Sequence, residues 1–91
     1  MDNAEIAAIF RDIADLLEKK KENWFKIRAY RKAADSIEGL SLSVEQIATE
    51  NRLKEISGVG EAITKKITEL VTTGSLEYHH KLKAELREGT D

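Results

Sequence analysis

The sequence predicts an all-helical fold, a compact bundle of five to six short helices, and three observations carry that expectation. The 91 residues contain no proline, and only 5% are aromatic, so the chain is poor both in helix breakers and in the bulky residues that strands favour. Apolar residues recur at intervals of three and four, the period of a helix that buries one face. Helix-start residues and glycine stops punctuate that period often, so the helices are short. With 41% hydrophobic residues and five glycines, the composition is that of a folded soluble chain, and the length suits a single domain over residues 1–91 with a modest core.

Ile6, Phe10, Ile13 and Leu17 stand four, three and four apart, which predicts an amphipathic helix over 4–19 with Asn3 as its N-cap. Lys19, Lys20 and Lys21 close it, where cations complement the negative end of the helix dipole. Asn23 caps a second helix, whose inner face carries Ile27, Tyr30, Ala34 and Ile37 and whose stop is Gly39. Ser43 followed by Gln46 has the capping-box pattern and opens a short helix through Thr49. Arg52 to Ile56 supplies another short turn. Helical spacing resumes at Ile63, Ile67 and Leu70, ends near Gly74, and restarts after Ser75 with Leu76, Leu82 and Leu86 before a polar tail at 88–91.

Composition also excludes several function classes. Without cysteine there is neither a disulfide framework nor a thiolate zinc site, which fits a reducing, cytoplasmic setting. Residues Met1 to Asp15 carry acidic groups and alternate apolar with polar positions, unlike a signal peptide, and no segment offers the roughly 20 apolar residues of a membrane span. His79 and His80 are adjacent, about 100° apart on a helix, and do not jointly ligate one metal. Trp24, alone at a helix start, is more often a packing residue than a platform for base stacking. The net charge is −2, yet Lys19, Lys20, Lys21, Lys26, Arg28, Arg31 and Lys32 face only Glu22 in their stretch of chain. An acidic protein is expected to carry one strongly basic surface.

Leu53, Ile56, Gly58, Val59, Gly60 and Ile63 stand in the order of a helix-hairpin-helix motif, over about residues 52–73. Gly58 and Gly60 are expected to give the backbone positive φ and a close approach to another surface, while Val59 plugs the hairpin into the core. Gly60, Glu61 and Ala62 then open a helix whose unpaired N–H groups and positive dipole end suit a phosphate. Such a site reads nucleic-acid backbone, not sequence. The plainer alternative is a tight helix-helix connection without a ligand.

Three segments carry a family resemblance: Ile13-Ala14-Asp15-Leu16-Leu17-Glu18; Phe25-Lys26-Ile27-Arg28-Ala29-Tyr30-Arg31-Lys32-Ala33-Ala34; and Leu53 through Ile67 with Thr73-Gly74-Ser75-Leu76 after it. With them nearly the whole chain resembles the amino-terminal domain of the family X DNA polymerases, the DNA polymerase beta-like group, and most closely its bacterial and archaeal branch. The resemblance implies a compact helical bundle that acts in DNA repair, base excision repair included, binding gapped or nicked DNA on the 5′-phosphate side. It implies phosphate-pocket roles for Lys26 and Tyr30, and a 5′-deoxyribose phosphate lyase activity through a Schiff base on Lys66. It also implies a monovalent cation, Na+ or K+, on the backbone carbonyls of Lys54, Ile56 and Val59, and no other cofactor. Ala62 and Tyr78 stand where the family places two further pocket lysines. Trp24 and Ser57 replace residues that are often different in bacterial members. A polymerase palm has no room in this chain, and Asp12 with Asp15 forms only one face of the first helix, so the expected partners include the polymerase domain of a longer parent chain, with a free-standing protein the open alternative.

Lys26 and Tyr30, four apart, share one edge of the second helix. Arg28 and Lys32, also four apart, point elsewhere and either meet phosphates or solvate their face, and Arg31 and Lys65 complete the basic set. Lys66 lies three after Ile63 and four before Leu70, at the edge of the buried face, whereas Lys65 points to the opposite side. Partial burial and nearby cations disfavour an ammonium, and only the neutral amine attacks the sugar aldehyde at C1′. The expected functions are, in order, a sequence-nonspecific DNA-binding module, a 5′-deoxyribose phosphate lyase, and a protein-interaction domain without DNA binding. A monomer without membrane contact is expected throughout.

Overall fold

The computed structural model describes residues 1–89, and among them it contains helices and no strand. The order is α1 (Asn3–Lys19), α2 (Trp24–Glu38), α3 (Val44–Thr49), a single 3₁₀ turn (Leu53–Glu55), α4 (Glu61–Thr73) and α5 (Glu77–Gly89). The all-helical bundle expected from the apolar period is what forms. Because α5 continues through Gly89, the first half of the expected polar tail is helical. Thr90 and Asp91 lie outside the described residues.

The cap of α1 is Asp2, one residue earlier than expected. Asp2 Oδ1 accepts the Glu5 N–H at 2.8 Å and Glu5 Oε1 accepts the Asp2 N–H at 3.0 Å, a complete capping box. Two cap-competent residues are adjacent here, and only Asp2 has a Glu three places on. Asn3 is used differently, because its amide both donates and accepts. Its Nδ2 donates to the Leu42 carbonyl at 2.9 Å and its Oδ1 accepts the Val44 N–H at 2.8 Å, which pins the start of α3 to α1. At α3 itself Ser43 Oγ accepts the Gln46 N–H at 3.0 Å, but the Gln46 amide turns to Glu50, so that capping box is half made.

Two helices end on non-glycine residues in the left-handed region. Lys21, at φ 58°, lets the Glu22 N–H reach the Leu17 carbonyl at 3.0 Å, and Asn51, at φ 58°, lets the Arg52 N–H reach Ile47 at 3.0 Å. The lysine run therefore closes α1 partly by backbone shape. One member, Lys20, reaches Glu85 of α5 at 2.7 Å.

The centre of the bundle is the α1–α2 pair. Ile6, Phe10, Ile13 and Leu17 are buried against Ile27, Ala33, Ala34 and Ile37, and the two alanines let the helix backbones come close. Arg11 bridges Asp35 at 2.9 Å and Glu38 at 3.0 Å on one side of the pair, and Arg31 bridges Asp15 at 3.1 Å and Glu18 at 2.8 Å. Ile63, Ile67 and Leu70 of α4 join the same core together with Leu53, Ile56 and Val59 of the hairpin. Leu76 and Leu82 bury the inner side of the last segment, and His79 Nε2 meets Asp12 Oδ2 at 2.6 Å, which ties α5 to α1.

Candidate nucleic-acid interface

The hairpin forms where its residue order places it. The Ile56 carbonyl accepts the Val59 N–H at 3.0 Å and Val59 is buried, so the apolar residue between the glycines plugs the turn into the core. Only one of the two glycines needs positive φ. Gly58 has φ 81°, and a Cβ there would lie 2.9 Å from Cγ of Lys32, whose stem runs across it. Gly60, at φ −93° and ψ −167°, is extended backbone open to any residue, and a Cβ there would meet nothing within 4 Å. The expectation of two left-handed glycines fails at Gly60 because a helix N-cap already prefers extended backbone.

Gly60 caps α4 without a side chain. Its carbonyl accepts both the Thr64 N–H at 2.9 Å and the Thr64 hydroxyl at 2.8 Å, and among the described residues no side chain accepts a hydrogen bond as a cap of the first turn. A helix start without a side-chain cap leaves N–H groups and a positive dipole end that suit an anion. It opens into a pocket walled on one side by Lys26, Ala29 and Tyr30 of α2, and on the other by Gly58, Gly60 and the first turns of α4 as far as Lys66.

A model of the helix-hairpin-helix domain family matches residues 1–76. The chain belongs to that family. It is also 29% identical over 89 residues to the DNA polymerase/3′-5′ exonuclease PolX of Bacillus subtilis, a match that covers 98% of this chain and 15% of that protein. The resemblance to the family X polymerases read from three sequence segments is thus met again over almost the full chain, which spans a small part of its relative's length.

Within this helix-hairpin-helix domain the two lysines named from the resemblance come together. Lys66 is half-buried and Lys26 exposed, and both ammonium groups lie over the ring of Tyr78, at 4.8 Å and 5.5 Å from its centroid. Burial, and after it the Lys26 charge, holds the Lys66 amine below the usual lysine range, against an opposing effect of Glu69. Tyr30 is buried, stacks on Tyr78 at 6.3 Å and 21°, and its phenol is pushed well up by burial and by Tyr78. Ala62 is exposed on the pocket wall. Glu61 places a carboxylate at the same mouth that its own N–H serves.

The other basic residues divide. Arg28, Lys65 and Lys54 are exposed, and Lys65 points away from the pocket that Lys66 lines. Arg31 is held by Asp15 and Glu18, so a phosphate reaches it only by displacing those carboxylates. Sequence reasoning gave too little weight to Lys32, whose stem crosses Gly58; its spacing from Arg28 showed a shared face but not the hairpin beneath it. It also misplaced Trp24, which is 55% exposed, and passed over Phe25, which is 78% exposed beside Lys26. Among the described residues no His, Cys, Asp or Glu side chains cluster in threes to hold a metal ion, and no helix is long and apolar enough to cross a membrane.

Proposed function

We propose that this domain binds DNA without reading its sequence, at a gap or nick, and that the pocket between the hairpin and α2 takes the 5′-phosphate. The observation that carries the reading is the convergence of the Lys26 and Lys66 ammonium groups beside the uncapped start of α4. Two ammonium groups and a set of fixed backbone donors suit a phosphate dianion, and none of these groups distinguishes one base from another. The family match and the polymerase relative support the same reading, as does the exposed Phe25, a ring face that an unpaired base can cover. The polymerase domain of a longer chain is the corresponding covalent partner.

The test is a binding isotherm with gapped duplex carrying either a 5′-phosphate or a 5′-hydroxyl, at two salt concentrations. Affinity is expected to fall with salt and to be higher with the phosphate. Affinity that is absent, or indifferent to salt, would leave the protein-interaction reading. Glu61→Gln removes an exposed carboxylate from the pocket mouth while keeping its N–H, so it should tighten binding by about two- to five-fold, in line with roughly 0.5–1 kcal/mol for a half-solvated charge pair.

A second reading, lyase chemistry, is favoured by the partial burial of Lys66 and its depressed amine. The neutral Nζ attacks C1′ of a 5′-deoxyribose phosphate and loses water to give an iminium. A base then takes the C2′ proton, and β-elimination breaks the C3′–O bond, freeing the strand with a 5′-phosphate. Borohydride trapping on such DNA should give an adduct that disappears in Lys66→Ala and persists in Lys65→Ala; the reverse pattern removes Lys66 from the chemistry. The trapped fraction should rise with pH, because more of the amine is neutral.

The hairpin carbonyls of Lys54, Ile56 and Val59 are the proposed seat of Na+ or K+. An all-carbonyl donor set suits a hard cation. The Ile56 oxygen already accepts one N–H, from Val59, and a carbonyl keeps a second lone pair for an ion.

A further inference from the structure

We propose that Tyr78 is the positioning residue of the pocket: its ring face holds the Lys26 and Lys66 ammonium groups, as charged groups, at the place where a phosphate meets them. The inference rests on the reading of the pocket as a phosphate site and adds to it the residue that organises the two cations.

The ring is fixed from several sides. Tyr78 lies in the first turn of α5, a helix secured to α1 by His79 on Asp12 and to the C-cap of α1 by Lys20 on Glu85, and packs against the buried core cluster. Tyr30 of α2 stacks on it. Both ammonium groups fall within the range, about 6 Å from the centroid, at which a ring quadrupole attracts a cation. Two like charges brought together repel, and the face of an aromatic ring offsets that repulsion without adding a carboxylate that would compete with the phosphate.

The hydroxyl is not the working part of this residue. Among the described residues Tyr78 Oη is buried without a hydrogen-bond partner, so there it adds nothing favourable to the pocket. What the side chain supplies is its ring. Two opposite effects act on Lys66, burial favouring the neutral amine and the ring favouring the ammonium. A bulky side chain that merely excluded water would act only in the first sense.

That difference sets the test, made first on the whole protein without DNA. The side-chain Hε and Cε resonances of Lys66 and Lys26 are followed by NMR against pH in wild type, Tyr78→Phe, Tyr78→Leu and Tyr78→Met. The last two are independent apolar replacements, and circular dichroism verifies that each variant is folded. In wild type and Tyr78→Phe the Hε resonances should be shifted upfield by the ring. In Tyr78→Leu and Tyr78→Met that shift should vanish and the protonation midpoint of Lys66 should fall. A midpoint that rises or stays in place in both apolar variants overturns the proposal, as does Tyr78→Phe behaving like them. In the binding arm, the preference for 5′-phosphate over 5′-hydroxyl gapped duplex should drop by about two- to five-fold in the apolar variants and be kept in Tyr78→Phe. A wild type without that preference refutes the phosphate reading, and with it the proposed purpose of the cations, while the NMR arm separately decides whether the ring holds them.

Discussion

Gly60→Val should cost at least about tenfold in affinity for gapped DNA and lower stability by no more than about 0.5–1 kcal/mol, the difference between glycine and valine at an N-cap. The backbone at Gly60 is extended, which valine adopts readily, and among the described residues the new Cβ meets no atom beyond its chain neighbours within 4 Å. The fold therefore tolerates it. The open space around that Cβ is the mouth of the pocket, where the proposed phosphate would come close to the first-turn N–H groups of α4, and a branched side chain would hold it away. Losing charge-assisted hydrogen bonds of roughly 1.5–3 kcal/mol corresponds to about ten- to a hundredfold in Kd. Gly58→Ala makes the converse case. At φ 81° a Cβ is strained, and it would press on Cγ of Lys32 at 2.9 Å, so about 1–2 kcal/mol of stability should be lost. Chemical denaturation beside a binding isotherm checks both variants. Equal losses of stability in the two would show that Gly60, too, is held by the fold and not left open for a ligand.

Those two glycines also mark how far the sequence could be read. Their order with Leu53, Ile56, Val59 and Ile63 gave the hairpin, because an apolar residue between two small ones has few other uses at the start of an apolar-periodic helix. The division of labour between them was hidden, since φ depends on which helix each glycine borders. The same limit explains the cap of α1. Asp2 and Asn3 both suit the role, and the loop before α3, 39 to 41 residues away, claims the Asn3 amide. Lys26, Tyr30 and Lys66 were legible as a set only through the family resemblance, since nothing in the local sequence says that α2 and α4 face one another. Arg31 shows the opposite failure: a count of charges made it part of a basic surface, but Asp15 and Glu18, one turn apart on α1, take it up. Tyr78 appeared in the sequence only as a missing lysine. Its place under two ammonium groups is a tertiary fact.

Phe10→Ala should destabilise the domain by about 3–5 kcal/mol, the usual cost of removing a buried aromatic ring. Phe10 has no exposed surface and meets Tyr30 edge-on, at 5.8 Å and 63°. Tyr30 in turn stacks on Tyr78, over which the Lys26 and Lys66 ammonium groups lie. A line of three rings thus runs from the centre of the α1–α2 core to the pocket. Against the 5–15 kcal/mol that typically holds a domain together, the loss is severe: each kcal/mol moves Tm by roughly 4–8 °C in a chain of this size, so thermal unfolding should shift down by more than about 10 °C. DNA affinity should fall with it, because Tyr30 loses the edge that fixes its ring and the platform under the lysines loosens. Phe10→Leu, which keeps most of the volume, should lose less of both. Phe25→Ala is the control for aromatic content, since a side chain 78% exposed contributes little to the folded state and its removal should change stability by no more than about 0.5 kcal/mol. If Phe25→Ala proved as destabilising as Phe10→Ala, the core would not be centred where α1 and α2 cross.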